Sequence, residues 1–140
     1  MTDRIFVDTN VLVYAHDAGA GSKREKAASI VEDLWASRSG ALSVQVLQEL
    51  YVTVTRKIRS PLSKKAAREL VETYGVWHVE PVGPEDVVRA SIIEERYRLS
   101  FWDALILTAA KKAAATRLLS EDLNPGQRID GLLVENPFAA

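Results

Sequence analysis

Hydrophobic and polar positions recur at two periods along the chain, and the switches between them predict its elements. Arg4-Ile5-Phe6-Val7 is a short apolar run of the kind a buried strand carries. Asp8-Thr9-Asn10 interrupts it, Val11 to Ala15 predicts a short helical piece, and Ala18 to Gly21 a loop. Ser22 then caps a helix with Ala27, Ile30, Val31 and Leu34 at 3.6-residue spacing, closed by Gly40. Ala41-Leu42-Ser43 predicts a second short strand, with Ser43 capping a helix whose stripe is Val46, Leu47, Leu50, Tyr51 and Val54.

Ser60-Pro61 marks a turn, and Ser63 starts a helix reaching about Tyr74. Val76 to Val82 has strand composition, and Pro84 suits the first turn of a helix ending near Tyr97. Ser100 caps the next helix, through about Ala115. Thr116 to Ser120 reads as a strand, Asn124-Pro125-Gly126 as a turn, and Gly131 to Val134 as a last short strand. Short strands alternating with helices predict an α/β fold with a largely parallel central sheet. With no repeat, low-complexity tract or linker, residues 1–140 are expected to form a single domain.

Composition changes this picture by exclusion. Cysteine is absent, so disulfides, thiolate metal sites and cysteine nucleophiles are ruled out. MTDRIFVDTN lacks the pattern of a signal peptide, and no apolar run approaches the roughly 20 residues that span a bilayer. A cytoplasmic protein with no membrane partner is therefore expected. The formal net charge of −1 argues against a general nucleic-acid coat. Its distribution is uneven, because Arg56, Lys57, Arg59, Lys64, Lys65 and Arg68 crowd one stretch. Such a cluster either meets phosphates or forms the solvated faces of two helices.

The acidic residues carry the candidate chemistry. Asp8 directly follows the first strand, and ligands of open parallel sheets bind outside the carboxyl ends of strands. It serves equally well as a helix cap or turn residue. Asp122 follows the Thr116–Ser120 strand, so parallel strands would bring both acids to one sheet edge; a surface turn over Glu121–Gly126 competes with that reading. Asp103 lies opposite the polar arc of Thr108, Lys111 and Lys112, on a face that should pack inward. A buried carboxylate there calls for compensation, although the Ser100–Asp103 spacing also fits a capping box. Glu49 falls with Gln45, Thr53 and Arg56, away from its helix's apolar stripe, and by periodicity is a solvated glutamate.

Other chemistry has little support. His16 and His78 lack metal-ligand spacing, and neither a G-x-x-x-x-G-K-[ST] loop nor a G-x-S-x-G elbow occurs. Trp35, Trp77, Phe101 and Trp102 are scattered and read as core or interface.

In order and with their surroundings, the four acids resemble the motifs of the PIN-domain ribonucleases, most closely the VapC toxins of toxin–antitoxin pairs. FVDTNVLVYA carries Asp8, QELYVTVTRK Glu49, LSFWDALIL Asp103, and LLSEDLNPGQ Asp122 with Ser120 just ahead. The resemblance implies a three-layer α/β/α sandwich with an acidic pocket at the carboxyl edge of its strands. It also implies a metal-dependent endoribonuclease leaving a 5′-phosphate and a 3′-hydroxyl. Oxygen-only ligation suits Mg²⁺ or Mn²⁺. Asp8 and Asp103 would be the primary ligands, with Asp122 and Glu49 completing the site and Thr9, Asn10 and Ser120 supporting it. Expected partners are structured RNA such as tRNA or rRNA, a cognate antitoxin whose C-terminal segment blocks the pocket, and a second copy in a homodimer. The alternative is a non-catalytic RNA-binding or assembly protein of the same fold. An aspartyl-nucleophile phosphatase is disfavoured, since its second Asp would fall where Asn10 stands.

Overall fold

Four apolar strand segments and one switch in strand order account for the architecture. The structure is a computed structural model that describes residues 3–139. The elements are β1 (Arg4–Val7), α1 (Thr9–His16), α2 (Ser22–Ser37), β2 (Gly40–Ser43), α3 (Val44–Arg56), α4 (Lys64–Tyr74) and β3 (His78–Glu80). They continue with α5 (Pro84–Tyr97), α6 (Phe101–Lys112), β4 (Ala115–Leu119), β5 (Arg128–Ile129) and β6 (Leu132–Glu135). The strands form one sheet in the order β3-β2-β1-β4-β6-β5, parallel except where β5 pairs antiparallel with β6.

Topology sets the layers. From β1 the chain steps outward through β2 to β3, then returns past β1 to add β4 on its other side. Parallel crossovers are right-handed, so reversing the direction of travel places the α5–α6 pair on the opposite face from the helices between β1 and β3. That is the expected three-layer α/β/α sandwich. Phe6, Leu42, Leu118 and Val134, one from each of four strands, are fully buried at its centre. No described helix is long and apolar enough to cross a membrane.

β1 occupies the expected residues, and Ser43, Ser63 and Ser100 each cap their helix by accepting from a backbone N–H three residues on. Pro84 begins α5, where Asp86 Oδ2 accepts from Gly83 N at 2.8 Å. Several boundaries differ from the sequence reading. Asp8-Thr9-Asn10 does not separate strand from helix: Asp8 is the cap, and α1 begins at Thr9. Ser22 is the first residue of α2 rather than its cap, which is Gly21. Gly40 does not close α2; Arg38 does, in a left-handed conformation with φ 57°. Gly40 instead opens β2, where a β-carbon would lie 2.5 Å from Trp77 Cε3.

The Val76–Val82 stretch yields only the three residues of β3, with Val76 exposed. The helix expected to reach Ala115 stops at Lys112, and β4 starts at Ala115, one residue early. The short β5 was unforeseen; its hairpin with β6 turns through Asp130 and Gly131, both at positive φ.

Candidate active site

β1 and β4 are adjacent and parallel, and the strand order reverses between them, because β1 leads on to β2 while β4 leads toward β6. Such a switch point splays the connections apart and leaves a crevice beyond the strands' carboxyl ends. Asp8 follows β1 there, and Ser120 and Asp122 follow β4.

Asp8 is only 4% exposed. Its Oδ1 accepts from Thr9 N at 2.7 Å as the cap of α1, and its Oδ2 accepts from Ser120 Oγ at 2.7 Å. Asp122 is tied to the same frame: its N–H donates to Ser120 Oγ at 3.1 Å, and Asn10 Nδ2 donates to its Oδ2 at 3.0 Å. Asn10 Oδ1 in turn accepts from Glu121 N at 3.2 Å. One serine and one asparagine thus hold two acids across neighbouring strands.

Glu49 is not solvated as its periodicity suggests. Thr9 Oγ1 donates to its Oε1 at 2.6 Å, so α3 turns its polar face toward α1. Gln45, one turn earlier on α3 and 5% exposed, donates from Nε2 to Glu49 Oε2 at 3.2 Å and to the Trp102 carbonyl at 3.3 Å. The second contact reaches the residue before Asp103. Gln45 Oε1 is buried and makes no hydrogen bond among the described residues. Sequence reasoning assigned Gln45 to the solvated side; its spacing of four from Glu49 was the only available signal.

Asp103, in the first turn of α6, shares no hydrogen-bond partner with the other acids among the described residues. Its N–H donates to Ser100 Oγ at 3.1 Å, half of a capping box. The polar arc expected opposite it is incomplete: Thr108 is buried, and its hydroxyl donates to the Ala104 carbonyl of its own helix at 2.8 Å.

The charges are coupled. Burial pushes the Asp8 carboxyl up to about 7, against the hydrogen bonds from Ser120 and Thr9, and the Glu49 and Asp122 charges add to the rise. Burial also raises Asp103, opposed by Ser100 and reinforced by Asp122 and Glu49. None of the four acids joins an ion pair among the described residues. The cluster therefore concentrates acidic groups with no ion-paired cation among the described residues.

Three or more of these carboxylates do not converge into a ready-made metal cage among the described residues. An open set of oxygen ligands still fits Mg²⁺ or Mn²⁺, because Mg²⁺ keeps several waters and takes only one or two carboxylates. A cleft of about 490 Å³ opens beside the cluster, bounded at this end by Glu49, Asp122, Thr9 and Asn10. Asp8 and Asp103 are not part of its wall. His16 and His78 are engaged elsewhere, with Tyr74 and Glu80 respectively, and do not join the acids.

Comparison with known proteins gives concordant results. A family model described as the PIN domain matches residues 5–131. A toxin–antitoxin complex from Klebsiella pneumoniae contains a chain similar over 98% of this chain and 99% of that one, with a TM-score of 0.70 and 20% identity. A sarcin–ricin-loop-cleaving VapC toxin from Mycobacterium tuberculosis is 25% identical, with a TM-score of 0.65 over 84% of this chain and 91% of that one. A DNA-bound VapBC complex from Salmonella typhimurium aligns over 97% of this chain and 99% of its own, with a TM-score of 0.68 and 17% identity. Among curated protein sequences there is no significant match.

Proposed function

The chain belongs to the PIN-domain family, and from that membership we propose that it is the metal-dependent endoribonuclease toxin of a toxin–antitoxin pair. The observation carrying this reading is the network that binds Asp8, Glu49 and Asp122 through Thr9, Ser120 and Asn10 at the sheet's switch point, with Asp103 beside it and no ion-paired cation among the described residues. The family's nuclease activity and the VapC-type neighbours support it.

Asp8 and Asp103 would hold the metal, with Asp122 and Glu49 completing its surroundings. A bound Mg²⁺ or Mn²⁺ would lower the pKa of a coordinated water and stabilise charge on the phosphate. The chain's own groups do the positioning. Ser120 and the Thr9 N–H fix both oxygens of Asp8, so the carboxylate needs no reorganisation when substrate arrives. Thr9 Oγ1 holds Glu49 by one oxygen and Gln45 by the other, which orients Glu49 to accept a proton from the attacking water. In-line attack forms a bond from water oxygen to phosphorus and breaks the bond to the 3′-oxygen. The 3′-oxygen takes up a proton, leaving a 5′-phosphate and a 3′-hydroxyl.

This reading brings structured RNA such as tRNA or rRNA as substrate, a cognate antitoxin that covers the acidic pocket, a homodimeric assembly and a place in the cytoplasm. The whole of residues 1–140 would act as one nuclease domain. The test is incubation of the purified protein with labelled total RNA. Discrete fragments with 5′-phosphate ends, formed with Mg²⁺ or Mn²⁺ and abolished by EDTA, are expected; no cleavage of any RNA pool overturns the reading in favour of a non-catalytic RNA-binding protein.

A further inference from the structure

We propose that the cleft between α1 and α3 is a subsite for one unpaired nucleotide flanking the scissile phosphate, with Lys57 holding that nucleotide's outer phosphate. The proposal rests on the ribonuclease reading above and assigns a substrate contact within it.

The two walls of the cleft are matched combs. On α1, Asn10, Val13 and Tyr14 share one face at i, i+3 and i+4; on α3, Glu49, Val52 and Thr53 do the same. Lys57 continues the α3 face one turn further and closes the far end. Glu49 and Lys57 are thus separated by about 12 Å of helix axis. The cleft runs from an anionic end, suited to a metal and the phosphate it activates, past the side chains of Val13 and Val52, to a lone cation.

That order of chemistry matches a nucleic-acid strand: phosphate, then the apolar face of a base, then the next phosphate. Valine side chains contact a base face without reading its edges, whereas the Thr53 hydroxyl supplies a polar contact. A duplex keeps its bases stacked inside, so only an unpaired nucleotide can place a base between two helices. Tyr14 serves as wall rather than stacking platform, since its hydroxyl donates to Glu121 Oε1 while Phe138 and the Lys23 ammonium cover its ring. Lys57 belongs to the basic run, and this geometry separates it from Lys64, Lys65 and Arg68 on and around α4, none of which lines the cleft.

The test measures binding of a fluorescent single-stranded oligoribonucleotide of mixed sequence to the full-length protein in Mg²⁺, over a range of salt. Cleavage of total RNA by the same preparations is followed alongside. Lys57→Ala is expected to weaken binding roughly fivefold and to lower the salt slope by about one. Lys65→Ala, which removes the same charge from the basic run outside the cleft, should change binding far less. Val52→Trp, which fills the cleft, should raise KM, and duplex RNA should compete poorly. Equal affinity and slope for Lys57→Ala and the parent would overturn the subsite while leaving ribonuclease activity standing. A parent that neither binds nor cleaves RNA would overturn both readings.

Discussion

Ser120 Oγ lies 2.7 Å from Asp8 Oδ2, so a buried hydroxyl at the end of β4 holds a buried carboxylate at the end of β1. The bond lowers the energy of the ionised form, yet burial outweighs it and leaves the carboxyl titrating near 7. The folded protein thus retains a proton that the unfolded chain releases near pH 4, and the sign of the pH dependence follows. The Asp8 contribution to metal-free stability is nil below the unfolded value, turns unfavourable as pH rises from about 4 to 7, and then levels off, while half-buried His16, whose pKa burial lowers, works in the opposite direction. The full penalty is at most about 4 kcal/mol.

Asp8→Asn keeps a good helix cap and removes the charge. In EDTA, thermal unfolding of the parent is expected at lower temperature at pH 8 than at pH 5. The variant should lose most of that difference, and Mg²⁺ should stabilise the parent chiefly at the higher pH. A parent whose unfolding temperature rises from pH 5 to pH 8 would contradict the account.

Thr9 links α1 to α3 by donating to Glu49. Thr9→Val keeps the shape and removes the donor, freeing Glu49 from the position in which Thr9 holds it. Activity is expected to fall 10- to 100-fold, on the order seen when groups that orient metal ligands are lost. Stability should change by no more than about 1 kcal/mol. Steady-state kinetics with parallel thermal melts separates the two effects.

Gln45 combines a useful amide N–H₂ with a buried carbonyl oxygen that has no hydrogen-bond partner among the described residues. Gln45→Leu removes both. Removing the orphaned oxygen offsets the loss of the bonds to Glu49 and the Trp102 carbonyl, so stability should change by no more than about 1–3 kcal/mol, with lower cleavage because Glu49 loses its second tether. Higher activity in this variant would show that the contact does not serve the site.

Much of the fold is legible because local rules and tertiary structure agree. Ser43, Ser63 and Ser100 cap helices, Pro84 starts one, and β1 covers the apolar run Arg4–Val7. Gly40 was misread because glycine after a helix usually marks its end, whereas here its reason is Trp77, packed where a β-carbon would sit. β5 is too short for any period to register. In the site, Asp8 and Asp122 could be placed from their strands. Glu49 entered only through the resemblance of its motif and Gln45 not at all, because periodicity separates polar faces from apolar ones but cannot tell a face turned to water from one turned to another helix. Thr108 misleads for a related reason, since a hydroxyl that satisfies itself on its own helix can be buried like a hydrophobe.

The close approach at Gly40 gives an independent check on the fold. Gly40→Ala puts a methyl 2.5–2.8 Å from the Trp77 ring, which is wedged edge-on against Trp35 and Tyr74. Overpacking of this kind is expected to destabilise by about 1–3 kcal/mol. Activity per folded molecule should be unchanged, because Gly40 lies at the opposite end of β2 from the acids; denaturant titration and cleavage at low temperature check both parts.

Single-turnover RNA cleavage shows whether the four acids act as one metal-dependent site. The parent, Asp8→Asn and Asp103→Asn should be compared with Mg²⁺ or Mn²⁺ and again with EDTA, on samples matched by circular dichroism. Each variant should fold normally and lose at least about a hundredfold in rate, and EDTA should reduce the parent to the same level. Cleavage that survives in either folded variant, or that is indifferent to EDTA, would contradict a single metal-dependent site.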